Sequence, residues 1–170
     1  TAHNNFVADL NAVNTPYADA IRGISVSSTT PLSTYNLYHN SIHVNSASAL
    51  ATSGTSGIYH TTNATATTAA LNMIDNIIVN TSASAGAGVT AAYRRSNATL
   101  TNFASTSNYN LLYAGTPSAT NLIFYDGTNS DQTLAAYQAR VAARDANSIS
   151  SFPNFTSSTD LHLTPDNCSI

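Results

Sequence analysis

The sequence has no lysine, no glutamate and no tryptophan, and its formal charges come from only five arginines and eight aspartates. A net charge of −3 without a basic cluster argues against a nucleic-acid partner, because such binding depends on Lys and Arg that neutralise phosphates. No apolar run approaches the ~20 residues that span a bilayer, so no membrane span is expected. The single cysteine, Cys168, excludes an internal disulfide framework and is interpreted as a structural thiol.

Serine, threonine and asparagine make up 66 of the 170 residues. Such a chain meets water through hydroxyl and amide groups in place of charges. Its length fits a single domain, and residues 1–170 are interpreted as one domain. Because the chain begins at Thr1 without a Met or a signal-peptide pattern, we expect a fragment or a processed subunit of a longer chain.

One short pattern returns along the chain. Residues 35–45 read YNLYHNSIHVN, residues 71–80 read LNMIDNIIVN and residues 108–114 read NYNLLYA. Polar anchors in this pattern recur at intervals of 36, 35, 34 and 44 residues. A near-constant period in this range is typical of repeat architectures. The anchors are Asn5, Ser41, Asn76, Asn110 and Asn154.

Each repeat carries a second short apolar segment, which contains Gly23-Ile24 in one repeat and Gly57-Ile58 in the next. Short alternating segments with this period favour strands that stack in parallel on their equivalents one turn away. The sequence therefore predicts an all-β fold, a parallel β-helix (solenoid) of about four to five coils. Stacked amides can form a buried corner ladder, because each can donate to one neighbour and accept from the other. The predicted corner ladder is Ser41, Asn76, Asn110 and Asn154, and the predicted inner ladder is Ile42, Ile77, Leu111 and Phe155.

The segment 131–143 departs from the strand period. Leu134, Tyr137 and Val141 lie at positions i, i+3 and i+7, which predicts a short amphipathic helix over about 131–143. Ser130 is its expected N-cap. After the helix, residues 152–155 are predicted to return as an anchor strand and residues 160–163 to form a final second strand.

Two motifs link the chain to a known family. One is an NxIxxN-type turn, present at 40–45 and in variant form at 75–80. The other has the pattern D-x-x-S-x-x-x-x-P-x-F followed by D-L-H-L: Asp145, Ser148, Pro153, Phe155 and residues 160–163. With these motifs the chain resembles right-handed parallel β-helix domains of secreted Bacteroidota-type surface proteins, within the pectate-lyase-like superfold. The resemblance implies a right-handed coil and an extracellular or cell-surface location. It leaves activity open, because the fold hosts lyases, hydrolases, adhesins and stalks.

The loop before the predicted helix is the one candidate for a bound cation. Asp126, Asn129 and Asp131 offer side-chain oxygens of the kind that Ca²⁺ prefers. The alternative is a turn at Gly127 followed by the helix cap, which explains the same residues without a metal. We expect no bound metal or other cofactor, and Ca²⁺ at this loop is the exception to test.

Histidines and tyrosines have both structural and functional interpretations. His39, His43 and His60 have no recognisable metal spacing and are interpreted as structural. The tyrosines either pack in the core or form an exposed platform for sugar rings. The candidate glycan contacts are Arg94 and Tyr113, although Arg94-Arg95 also fits a solvated corner that pairs with aspartate. No catalytic residue is assigned.

The favoured hypothesis is a non-catalytic extracellular structural module: a stalk, an adhesin segment or a head-to-tail filament subunit. A parallel β-helix leaves unpaired N–H and C=O groups at both ends, and natural sheet edges are usually guarded by charges, proline or a covering element. Only the 131–143 helix looks able to cover an end. The ends are therefore expected to stack on more of the same polypeptide or on another copy.

The rival hypothesis is a polysaccharide-binding or polysaccharide-degrading module. As a class, polysaccharide lyases of this fold combine acidic Ca²⁺ ligands with an Arg or Lys base on one face, and glycosidases need two nearby carboxylates. The two hypotheses differ in whether Asp75, Arg94 and Tyr113 line one concave face.

Overall fold

The computed structural model describes residues 1–27, 33–62 and 70–165. Cys168 lies outside these described residues. The predicted all-β parallel solenoid with one short helix is confirmed, with about three turns in place of the predicted four to five. No helix in the described part of the chain is long and apolar enough to cross a membrane.

Three parallel sheets run along the solenoid; the first three coils contribute one strand to each sheet, and the last coil contributes strands to two of them. Sheet A contains β1 (Ala2–His3), β4 (Thr34–Tyr38) and β8 (Ala70–Ile74). Sheet B contains β2 (Phe6–Val7), β5 (Ser41–Val44), β9 (Ile77–Asn80) and β12 (Leu111–Tyr113). Sheet C contains β3 (Ile21–Val26), β7 (Thr55–His60), β11 (Thr90–Arg95) and β13 (Asn121–Tyr125), with β14 (Ser130–Asp131) antiparallel on β13. A small sheet pairs β6 (Ala47–Ser48) with β10 (Ala83–Ser84).

The space between the sheets is filled by stacked apolar side chains. On sheet B, Ile42 pairs with Ile78, and Ile78 with Leu112; all three are fully buried. On sheet C, Ile58, Tyr93 and Phe124 occupy one register and are also fully buried. Leu37, Leu71 and Met73 of sheet A complete this core. Burial of such rows, at roughly 25 cal/mol per Å² of apolar surface, is the main force that closes each coil.

The predicted inner ladder is right at Ile42 and wrong by one residue at Ile77 and Leu111. Ser41 pairs with Ile77, and Ile77 with Leu111. These three residues form an outer row of sheet B, whereas Ile42 pairs with Ile78 inside. Because successive strand residues face opposite sides, a shift of one residue moves every side chain to the other face.

The corner ladder explains this register. Asn40 donates from its side-chain amide to the Oδ1 of Asn76 at 2.9 Å, and Asn76 donates in the same way to Asn110 at 3.0 Å. Asn5 donates to Asn40 at 2.8 Å. The ladder therefore runs through Asn40 and not through Ser41, and each amide donates to the next asparagine through its NH₂ group and accepts from the previous one through its oxygen.

A left-handed backbone residue precedes each asparagine of this ladder. Asn4, His39, Asp75 and Tyr109 have φ between 54° and 59°. Such values are uncommon outside glycine, and Asn, Asp and His tolerate them best. The turn aims the following asparagine into the stack, so the 35-residue period reflects a backbone geometry as well as a side-chain type.

The close approach of sheets B and C explains the glycines of the second segment. A Cβ on Gly57 would lie 2.6 Å from the Cγ2 of Ile78 and 2.7 Å from the carbonyl oxygen of Ala92. Likewise, a Cβ on Gly23 would lie 2.5 Å from the Cγ2 of Ile42. These positions have no room for a side chain without displacement of the neighbouring coil.

The helix is shorter than predicted. It covers Leu134–Val141, and its N-cap is Thr133, whose hydroxyl accepts from the backbone N–H of Ala136 at 3.3 Å. Ser130 belongs to β14 instead. Tyr137 and Val141 are fully buried against the core, and Tyr137 contacts Phe124 with 5.4 Å between ring centroids. The helix therefore covers the C-terminal end of the core.

Residues 149–165 do not form the predicted further coil. They bridge from Ile149, which pairs with Leu111, back to His162, whose ring lies 4.8 Å from that of Phe6 in the first coil. Phe155 pairs antiparallel with Leu163 in a small hairpin. We call this segment the strap. Neither Asn154 nor Phe155 lies in a ladder, and this is why the last predicted interval of 44 residues broke the period.

Candidate functional site

The three residues that distinguish the two hypotheses lie in different places. Asp75 lies at the corner between sheets A and B and lines a hollow with Tyr109. Tyr113 is on the outer face of sheet B, in register with Val79 and His43, and its ring packs edge-on against Phe152 of the strap at 5.5 Å. Arg94 is on sheet C, in a cleft with Tyr125. No single concave face therefore contains all three.

Arg94 belongs to a polar cluster on the outer face of sheet C. Asp19 accepts from the Nε of Arg22 at 2.6 Å and from the hydroxyl of Ser56 at 2.8 Å, and it lies 3.7 Å from Arg94. Arg94 also donates to the carbonyl of Ala18 at 2.6 Å. The cluster holds two guanidinium groups against one carboxylate, so it has a local excess of positive charge.

Tyrosines lie beneath both guanidinium groups of this cluster. The guanidinium carbon of Arg22 is 3.5 Å from the centre of the Tyr59 ring, and that of Arg94 is 5.0 Å from the centre of the Tyr125 ring. Register places Tyr59, Arg94 and Tyr125 side by side on successive strands. These cation–π contacts restrict the motion of the two arginines, and each guanidinium group covers one side of a tyrosine ring.

The predicted calcium loop has its carboxylates engaged by protein donors. Asp126 accepts from the backbone N–H groups of Thr128 and Asn129 at 2.9 and 2.7 Å and from the Asn129 side-chain amide at 2.8 Å. Asp131 forms a two-point ion pair with Arg140 of the helix at 2.5 and 2.7 Å. Gly127 lies between them with φ 86°. These contacts form a turn at Gly127 and tie the following strand to the helix. This geometry corresponds to the interpretation of the loop without a bound metal.

The three histidines lie in separate environments. His39 is exposed, with Nδ1 4.0 Å from Asp75. His60 is buried beside Arg95, 2.8 Å from its guanidinium. His43 is buried under the strap. Across the described ranges, no group of three or more His, Cys, Asp or Glu side chains is placed to hold a metal ion.

Two buried charged residues hold the scaffold together. The Arg95 guanidinium donates to the Tyr93 hydroxyl at 2.7 Å and, at 2.6 Å each, to the Thr99 carbonyl and the Asn102 amide oxygen. Asp145 is fully buried, and it terminates the corner ladder in place of Asn154. From the sequence, Asp145 was recognised only as part of the D-x-x-S motif. Its spacing of 35 residues from Asn110 was the signal that identifies it as the next ladder position.

Burial perturbs the two tyrosines next to these groups. It raises the pKa of Tyr137 well above its ordinary value, and the neighbouring Asp145 carboxylate raises it further. Burial also raises the pKa of Tyr93, with Arg95 opposing the shift. Both hydroxyls therefore stay protonated at neutral pH, as their structural hydrogen bonds require.

In the His43 cleft, polar groups lie opposite an aromatic wall. We define it by His43, Asn45, Thr81, Phe152, Phe155 and Ser158, which line a volume of about 450 Å³. The Nε2 of His43 lies 2.9 Å from the Thr81 hydroxyl, and its Nδ1 is shielded from solvent. Burial lowers the pKa of His43, while the nearby Ser158 backbone raises it. This cleft was not predicted from the sequence, because the residues of the strap were assigned to a further coil.

Comparison with known proteins gives no relative. The chain matches no protein-family model, no curated protein and no solved structure.

Proposed function

We propose that the chain is a non-catalytic extracellular structural module of a secreted bacterial surface protein, a stalk or an adhesin segment. The observation that supports this most is how the charged side chains are used. Arg95, Asp145 and the Asp131–Arg140 pair make structural contacts, and Asp75 and Arg94 line two separate hollows. The resemblance to Bacteroidota-type surface proteins supports the same proposal.

A stalk or adhesin segment is better supported than a head-to-tail filament. Head-to-tail growth needs a free parallel edge and an open core at both ends. At the C-terminal end, β14 pairs antiparallel with β13, and Tyr137 and Val141 of the helix close the core. A second copy would have to displace these elements in order to continue the stack.

Two measurements test this proposal. Incubation with a panel of acidic and neutral polysaccharides, with and without added Ca²⁺, is expected to release no unsaturated uronate and no new reducing ends. Electron microscopy and sedimentation velocity are expected to show discrete particles. Turnover that persists after repurification would make the chain an enzyme, and regular fibres would restore the filament hypothesis.

A polysaccharide-binding module is the second candidate. The sheet C cluster favours it, because the two guanidinium groups have donors beyond those that Asp19 and Ala18 use. Arginine recognises carboxylates with two parallel hydrogen bonds, so acidic glycans suit this face. Loss of binding to an acidic glycan in Arg94→Gln, at unchanged stability, would support this candidate.

A further inference from the structure

We propose that the His43 cleft binds a neutral saccharide unit, which would make the module an adhesin with a defined recognition site. This inference rests on the proposed non-catalytic extracellular role and gives it a ligand class.

The cleft is built from two parts of the chain that are far apart in sequence. The ends of β5 and β9 supply His43, Asn45 and Thr81, and the strap supplies the opposite wall. Phe152 and Phe155 stand nearly perpendicular, with centroids 6.4 Å apart, and both rings face His43. Tyr113 supports Phe152 from the side. The cleft therefore has one hydrogen-bonding wall and one aromatic wall.

This pairing suits a sugar ring. A pyranose has an apolar surface of C–H groups, which can pack on Phe152 and Phe155, and a rim of hydroxyls, which need donors and acceptors. Phe152 is 47% exposed and so has a face available for such contact. The Asn45 side-chain amide offers both hydrogen-bonding functions, and the hydroxyls of Thr81 and Ser158 add two more.

His43 forms the buried floor of the hydrogen-bonding wall. It is only 4% exposed, its Nε2 lies 2.9 Å from the Thr81 hydroxyl, and its ring interacts with the Ser158 backbone of the strap. The imidazole therefore holds the two walls of the cleft together. The polar groups that a saccharide hydroxyl would meet are the Asn45 amide and the hydroxyls of Thr81 and Ser158.

The charge of the cleft excludes ionic ligands. Its lining consists of aromatic, hydroxyl, amide and imidazole groups, and burial lowers the pKa of the imidazole so that it is neutral at pH 7. A carboxylate or ammonium group placed here would lose hydration without gaining an ion pair. Neutral hexoses and N-acetylhexosamines are therefore the ligand class, in contrast to the acidic glycans that suit sheet C.

The test is an NMR titration of the isotope-labelled chain. The probes are the methyl glycosides of glucose, galactose, mannose and N-acetylglucosamine, together with galacturonate as an acidic probe. At least one neutral probe is expected to shift the imidazole signals of His43 and the ring signals of Phe152 in a saturable way. Thr81→Val and Asn45→Ala should each weaken binding by about fivefold, the loss expected for one ordinary hydrogen bond.

A matched control separates this site from the sheet C cluster. Arg94→Gln lies on another sheet and should leave neutral-sugar binding unchanged.

Several outcomes would overturn the inference. One is the absence of saturable shifts at His43 with every neutral probe. Another is a shift confined to residues near Arg94, which would place glycan binding on sheet C. Neither outcome affects the proposal of a non-catalytic module, which fails only if polysaccharide is degraded.

Discussion

The side-chain amide of Asn110 donates to the Oδ1 of Asp145 at 2.8 Å, and this contact ends the corner ladder with a carboxylate in place of a further amide. Asp145 also accepts from the hydroxyls of Ser148 at 2.6 Å and Tyr137 at 2.5 Å. Asn110, Tyr137 and Ser148 all donate to this side chain, so an asparagine here would direct its NH₂ group toward other donors. The carboxylate thus receives the last donor of the ladder and joins the solenoid to the helix.

Removal of this carboxylate should destabilise the whole fold. We expect Asp145→Ala to lower the free energy of unfolding by about 3 kcal/mol, because it leaves an amide and two hydroxyls buried without an acceptor. Asp160→Ala is the matched control, since Asp160 is 47% exposed in the strap, and it should cost far less. Denaturant unfolding followed by circular dichroism measures both. Equal losses in the two variants would contradict the role assigned to Asp145.

The ladder itself can be tested at its central residue. Asn76 donates to the carbonyls of Leu37 and Ile74 at 2.8 and 3.1 Å, in addition to Asn110. Asn76→Ala should cost about 2–4 kcal/mol through buried groups left unpaired. Asn76→Asp should cost at least as much, because it sets a carboxylate against carbonyl oxygens. Asn72→Ala, at a half-buried position on sheet A, is the control and should lower the free energy of unfolding by less. If Asn76→Ala instead lowered it by less than Asn72→Ala, the ladder would not be a stabilising element.

Acid should loosen the strap through His43. Burial depresses the pKa of this imidazole below its usual 6.5, so the unfolded chain binds the proton more readily than the folded one. Stability should therefore fall as pH drops below about 6.5. Denaturant midpoints between pH 7.5 and 5 should show this slope in the native chain and a flatter one in His43→Gln. A slope that is unchanged by the substitution would assign the effect to another group.

Alkali should act through the two buried tyrosines. Burial raises the pKa of Tyr137 and of Tyr93, so the unfolded chain loses these protons first and folded stability falls above pH 10. In a spectrophotometric titration, two of the nine tyrosines should ionise only when the protein unfolds. Tyr137→Phe should remove one of these late-titrating groups. Smooth ionisation of all nine in the folded state would contradict the burial of these hydroxyls.

Close packing between sheets B and C gives a fifth prediction. Gly57→Ala would place a methyl 2.6 Å from Ile78, so it should cost about 1–3 kcal/mol. The same change at Gly86, which lies in a loop outside the three sheets, serves as a comparison, although its Cβ would approach Ala51 at 2.7 Å. The loop can move away more easily than a core strand, so thermal unfolding should show the larger loss at Gly57.

The sequence period was sufficient to predict the architecture. Asn76 and Asn110 were identified as ladder residues because a buried amide stack needs the same side chain at the same corner of each coil. The register at Ser41 and Asn40 was not predictable from apolar residues alone, since both alignments place an isoleucine beside an isoleucine. Backbone φ at His39 and Asp75 decides between them, and a linear pattern does not display it.

The strap was missed for a different reason. Phe152, Phe155 and Leu163 are apolar residues of types that are common in buried strands. Their partners, however, are on the outer face of sheet B and not in a further coil. Periodicity identifies residues that are buried, but it does not identify the surface that buries them. The His43 cleft depends on the strap, so it could not be recognised from sequence.

The path of the strap has a consequence for how the chain unfolds. In most solenoids each coil touches only its neighbours, so coils can fray one at a time from an end. Here Ile149 joins the last coil and His162 reaches Phe6 in the first. Loss of the first coil therefore also removes contacts of the strap, and loss of the strap exposes every coil that it crosses. Such a link makes the repeats a single cooperative unit, and a molecule pulled along its axis would resist until the strap gives way.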